Sequence, residues 1–237
     1  MSGSGGDLAA AVARRLEDVR KRIASACAGA GRQAGAVRIL AVTKGFGPEA
    51  IEAALEAGLS DIGENYLQEA QAKFAATAWP GRPVKRHFIG SIQRNKARRI
   101  GALFDVVQTL DDIETASLLD QCARDAGKRL EVLLQVNVTG DRRAGIAPDD
   151  CATFARELVS RDGLRLRGVM SVGPADSAAT REAFDRAAQA LRSVRAIVSD
   201  ADTLSLGMTD DLEAAVAAGS TMVRLGTALF GARQAKG

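Results

Sequence analysis

Val37-Arg-Ile-Leu-Ala-Val-Thr43, then Lys44-Gly-Phe-Gly47, then Pro48-Glu-Ala-Ile-Glu-Ala-Ala-Leu-Glu-Ala-Gly58 form one complete strand–loop–helix unit. The opening run is apolar at both parities, as in a strand covered on both faces. Pro48 suits the first turn of a helix and Gly58 its C-terminal cap, with Ile51, Ala54 and Leu55 on the buried face. Leu59–Ile62 then starts the next unit.

The same alternation recurs to the end of the chain. Further strand-like runs are Val84–Ile89, Leu103–Thr109, Leu130–Val138, Leu164–Val172, Thr203–Leu206 and Thr221–Leu225. Strands alternating with helices argue for a parallel sheet. Eight units in 237 residues predict closure into a single (β/α)8 TIM barrel, which usually takes about 250 residues. An additional N-terminal helix carries Leu8, Val12, Leu16, Val19 and Ile23 on one face. An open doubly wound sheet is the competing α/β fold, but no Gly-x-Gly-x-x-Gly turn follows the first strand. Phe184, Ala188, Leu191, Val194 and Val198 mark another helical stripe. Asp111 with Glu114, and Asp210 with Glu213, resemble capping boxes. Residues 1–6 are expected as a disordered tail and 7–237 as a single domain, since no linker interrupts the alternation after residue 35.

Composition narrows the functional classes. Lys plus Arg total 32 against 29 Asp plus Glu, a net charge of +3. That excess is too mild, and too interleaved with acids, to argue for nucleic acid. Cys27, Cys122 and Cys151 are far apart and lack zinc-ligand spacing, which suggests reduced thiols and a cytoplasmic protein. His87 is the only histidine, so no multi-histidine metal site is expected. No apolar run approaches the roughly 18 residues a membrane helix needs. A monomer is expected, because a closed barrel leaves no sheet edge.

In a barrel, chemistry is built where strands end and the following loops begin. Lys44 sits there on the first strand and shares the parity of Leu40 and Val42. If that shared face looks into the barrel, the ammonium is partly desolvated at the mouth, which favours the neutral amine and its attack on an aldehyde; the alternative is a solvated lysine at a strand end. Ser205-Leu-Gly-Met-Thr-Asp-Asp211 and Val223-Arg-Leu-Gly-Thr227 follow the seventh and eighth strands, where such barrels often bind phosphate. Gly207 and Gly226 permit close backbone approach, Ser205 and Thr227 add hydroxyls, and Arg224 can meet a phosphate or a ring nitrogen. Glu64 and Asn65 are candidates for ligand contact or for capping the next helix. A lone histidine within a strand is more often a satisfied core residue than a catalyst, and His87 is read that way.

These segments, with Ile62-Gly-Glu-Asn65, His87-Phe-Ile-Gly90, Gln93, Asn95-Lys96, Leu134-Gln-Val-Asn137 and Arg167-Gly-Val-Met170, resemble the pyridoxal phosphate homeostasis protein family. The resemblance runs from about residue 8 to Gly231. It implies an alanine-racemase-type barrel and a role in supplying pyridoxal 5′-phosphate (PLP), held as a Schiff base on Lys44. It further implies that Ser205, Gly226 and Thr227 hold the phosphate, that Arg224 faces the pyridine nitrogen, and that Asn65 and Met208 line the ring. The partners so implied are PLP itself, apo PLP-dependent enzymes and free amino acids. After the fifth strand the family often has Lys-x-Gly, whereas this chain reads Arg142-Arg143-Ala144-Gly145, which removes an amine but keeps a positive charge.

A single-domain PLP-dependent racemase is the alternative. It needs two bases, one on each face of the substrate Cα, and the only tyrosine is Tyr66. A Schiff-base aldolase without cofactor is a third reading.

Overall fold

The computed structural model describes residues 3–174 and 176–232. Eight strands close into a parallel barrel in chain order: β1 (Arg38–Val42), β2 (Asp61–Glu64), β3 (Lys85–Phe88), β4 (Val106–Leu110), β5 (Leu130–Gln135), β6 (Leu164–Met170), β7 (Thr203–Ser205) and β8 (Met222–Leu225). β8 returns to pair with β1, Leu40 opposite Arg224. The helices are α1 (Gly3–Gly29), α2 (Pro48–Glu56), α3 (Leu67–Ala76), α4 (Ala97–Leu103), α5 (Ile113–Asp125), α6 (Cys151–Val159), α7 (Ser177–Arg195), α8 (Leu212–Ala217) and α9 (Thr227–Phe230). The expected barrel is therefore present, with α1 as the additional helix.

Two separate apolar layers follow from strand parity. Ile39 and Ala41 point outward into the main core beneath the helices, whereas Leu40 and Val42 meet Met222 and Ile89 inside the barrel. In α1, Val12, Leu16, Val19 and Ile23 are buried against that outer core and Leu8 is half-buried. The helix begins at Gly3, so residues 3–6 are helical where the sequence suggests a tail. Extending an existing helix costs far less than nucleating one, and weak helix formers can be carried along. Met1 and Ser2 lie outside the described residues.

Pro48 and Gly58 end α2 as expected, Gly58 at φ +87°. The capping expectations shift. Asp112, not Asp111, caps α5 by accepting from the Thr115 amide at 2.9 Å. At α8 the N-cap is Asp211, and its carboxylate accepts from Met208 N at 2.5 Å instead of capping the helix. Both boxes fell one residue early because the adjacent aspartate, not the one that completes the box, takes the N-cap position.

β6 carries a bulge, the register against β5 skipping Arg167 between Leu166 and Gly168. Gly168 has φ +147°, and a Cβ there would stand 1.9 Å from the Thr203 carbonyl oxygen. Only glycine lets β6 and β7 approach this closely. Among the described residues no helix is long and apolar enough to cross a membrane.

Candidate active site at the barrel mouth

Lys44 is half-buried in the turn immediately after β1. Its backbone is clamped on both sides. Lys73 of α3, itself buried, donates to the Thr43 carbonyl at 2.6 Å and forms ion pairs with Glu64 and Glu69. The Thr43 hydroxyl donates to Glu64 Oε1 at 2.5 Å, and Gly45 N donates to Glu69 Oε1 at 2.5 Å. Glu64 is fully buried. Burial pushes its carboxyl up, the Lys73 charge and hydrogen bonds from Lys73 and Thr43 pull it down, and the net shift is upward. Glu64 therefore holds the turn that presents Lys44. It neither caps α3, whose N-cap is Tyr66, nor lines the cavity.

The mouth of the barrel holds a cavity of about 320 Å³. Lys44, Asn65, Met208, Arg224, Gly226 and Thr227 line it together, with Val42, Ile89, Val172 and Thr209. Six of the seven residues expected from the sequence thus converge. The seventh, Ser205, lies beneath the floor, with no exposed surface. As the last residue of β7 rather than part of the loop, it points into the barrel and supports Arg224.

Arg224 is 6% exposed. Its guanidinium donates to the Ser205 carbonyl at 2.7 Å, the Ser205 hydroxyl at 3.0 Å and the Ser171 carbonyl at 2.8 Å. Burial lowers its pKa to about 10, opposed by the Asp211 charge, so it remains cationic at neutral pH. The cavity lining thus contains two cationic residues and no acid. Asn65 adds a buried side-chain oxygen without a hydrogen-bond partner. The first amides of α9, at Thr227 and Ala228, have no acceptor one turn earlier in the helix.

Thr209 was not singled out from the sequence, although it stands in the quoted segment after β7. It lines the cavity wall, and its carbonyl accepts from Arg22 of α1 at 2.9 Å. Tyr66 is 62% exposed and lines a neighbouring cleft with Gln93 and Lys96. That cleft shares Asn65 with the Lys44 cavity but not Lys44 itself. His87 is buried with both ring nitrogens hydrogen-bonded, to Asp61 and Gln108. Arg143 pairs with Asp141 and donates to the Gly173 carbonyl at 3.1 Å. No metal-binding group of three or more His, Cys, Asp or Glu occurs among the described residues.

Residues 15–234 match the alanine racemase N-terminal domain. The pyridoxal phosphate homeostasis protein of Pseudomonas aeruginosa is 44% identical over 226 residues, covering 94% of this chain and 96% of that protein. This chain belongs to that family. Among solved structures, PipY of Synechococcus elongatus with PLP bound superposes with a TM-score of 0.81 at 31% identity, covering 93% of this chain and all of that one. Alanine racemase from Corynebacterium glutamicum superposes with a TM-score of 0.73 at 13% identity. This chain covers 61% of that enzyme, and the likeness shows a common barrel only. Family membership gives the convergence around Lys44 its context: the loops that build the cavity are those the matched region spans.

Proposed function

We propose that the protein binds PLP at the barrel mouth, as a Schiff base on Lys44, and serves cofactor homeostasis by holding and handing on PLP. The observation that carries this reading is the convergence of Lys44, Arg224, Gly226 and Thr227 on one acid-free cavity. The Lys44 amine suits an aldehyde, the first amides of α9 suit a phosphate, and the orphaned Asn65 oxygen suits a polar ring substituent. When bound, PLP supplies an aldehyde that condenses with primary amines and a ring that withdraws electrons.

Lys44 provides the amine. Gly226, Thr227 and the α9 amides hold the phosphate, with Thr209 added to them and Ser205 acting from below through Arg224. The Arg224 guanidinium faces the pyridine nitrogen, Asn65 and Met208 flank the ring, and Ile89 and Val172 exclude water from its edges. Apo PLP-dependent enzymes and free amines are the recipients this reading implies, in a monomeric cytoplasmic protein.

If the α9 turn and Thr209 cradle the phosphate, pyridoxal should bind at least about a hundredfold more weakly than PLP. Charge-assisted hydrogen bonds are worth about 1.5–3 kcal/mol each, and two or more are lost. Equal affinities in a fluorescence titration would refute the assignment of these loops.

The carrier reading also predicts little proton abstraction from amino acids. A permanently charged guanidinium against the ring nitrogen disfavours its protonation and weakens the electron sink. Tyr66 on the neighbouring cleft leaves the Lys44 cavity without a second base of the kind racemisation requires. Incubating PLP-loaded protein with L-alanine in deuterated water should give negligible Cα labelling by NMR. Rapid labelling that vanishes in Lys44→Ala would instead establish the racemase.

A further inference from the structure

The interior of the barrel carries a line of polar groups where such barrels are dominated by branched aliphatics. Arg224 Nη1 donates to Ser205 Oγ at 3.0 Å, and the Ser205 hydroxyl donates to Gln108 Oε1 at 2.8 Å. The Gln108 amide donates to His87 Nδ1 at 2.9 Å, and His87 Nε2–H donates to Asp61 Oδ1 at 2.8 Å. The five residues come from β8, β7, β4, β3 and β2, and all are buried. β4 and β7 are not neighbours in the sheet, so the Ser205–Gln108 bond crosses the lumen.

Every bond in this chain runs from guanidinium to carboxylate, and each fixes the next. A serine hydroxyl that gives its only proton to Gln108 turns a lone pair to Arg224. A glutamine whose carbonyl takes that proton turns its NH2 to His87. His87 Nδ1 is then bare, and the ring proton sits on Nε2 against Asp61. An inner member that turns gives up two bonds, which is costly where no water replaces them. Such a line is a poor way merely to fill a core, and the role proposed for the cavity leaves Asp61, His87 and Gln108 unused.

We infer that Gln108 and His87 are positioning residues. Anchored on Asp61, they act through the Ser205 hydroxyl, alongside the Ser205 and Ser171 carbonyls, to lock the plane of the Arg224 guanidinium against the cofactor's ring nitrogen. The inference rests on the PLP reading of the Lys44 cavity.

Two measurements separate it from simple packing. The first uses apo-protein and the single histidine, whose ¹⁵N resonances stand alone in a histidine-labelled sample. A neutral ring protonated at Nε2 is expected at neutral pH; an imidazolium or the Nδ1–H form would break the chain's direction and overturn the inference. The second compares PLP with 1-deazapyridoxal 5′-phosphate, in which C–H replaces the ring nitrogen. Wild type should prefer PLP about tenfold, the effect of one well-placed hydrogen bond. Gln108→Leu should reduce that preference to within about twofold, and Gln108→Glu, which still accepts from Ser205, should restore it while shifting the histidine resonances toward imidazolium. If Gln108→Leu does not fold, Gln108→Met supplies the same reading. Equal weakening of both ligands, or no change in preference, would reduce the chain to core packing. Failure of wild type to bind either ligand would overturn the inference together with the reading of the site.

Discussion

Lys44→Ala is expected to abolish covalent retention of PLP entirely: no visible absorption band, and no adduct after borohydride reduction and digestion. The expectation rests on placement among the lysines near the site. Lys73 is buried and ion-paired with Glu64 and Glu69 outside the cavity. Lys96 lines the adjoining cleft, on the Gln93 side of Asn65. Lys44 alone among the three lines the cavity that contains Arg224, Gly226 and Thr227. Residual non-covalent binding through the phosphate loops should persist, read as quenching of intrinsic fluorescence without a visible band. Mass spectrometry that found the reduced adduct on Lys96 or Lys73 of the wild type would contradict the assignment.

Lys73→Met should cost about 3–5 kcal/mol of stability at neutral pH, the penalty for removing one member of a buried ion pair. Glu64 is fully buried, and its second carboxylate oxygen already lacks a partner. Without Lys73 its charge has only the Thr43 hydroxyl to face. Burial already holds the Glu64 carboxyl above its ordinary range, and losing the cation would raise it further. The sign follows from linkage. A carboxyl whose folded pKa exceeds its unfolded value favours folding most below the unfolded value, and that contribution is lost as pH rises through the folded pKa. The deficit of Lys73→Met should therefore shrink toward acid. Urea denaturation at pH 7 and near pH 4.5 measures both effects. The double variant Lys73→Met/Glu64→Leu should recover much of the loss, because no unpaired charge remains. A single variant as stable as wild type would show that Glu64 is already neutral.

The alternation of runs and helical stripes made the barrel readable, because closure constrains both faces of every strand and leaves a pattern at each. Lys44 was legible for the same reason: Leu40 and Val42 fix its parity, and a lysine ending that series sits at the mouth. Ser205 is harder to read: the run Thr203–Leu206 already contains it, and it belongs to the strand's buried inward face, whereas Thr209 belongs to the loop. Glu64 offered no local sign of its partner, since Lys73 lies nine positions on and on another element. The Arg224–Asp61 chain was invisible for the same cause on a larger scale. Its members are scattered over five strands, and only the closed lumen brings them together.

The contacts of α1 have a consequence for the order of synthesis. From α1, Arg22 donates to Glu213 and to the Thr209 carbonyl and Arg15 to the Leu229 carbonyl, and just past its end Arg32 donates to the Val216 and Ser220 carbonyls. α1 is thus made well before these partners and waits for them, as β1 waits for β8. Until then the nascent sheet has two open edges and a helix with its apolar stripe uncovered, the condition in which chains associate wrongly. At about 5–20 residues per second, that interval lasts on the order of ten seconds or more, and the loops after β7 and β8 that line the Lys44 cavity are made at its end. Capacity to hold ligand should consequently arise in one late step, when β8 slots between β7 and β1 and the arginines of α1 find their carbonyls.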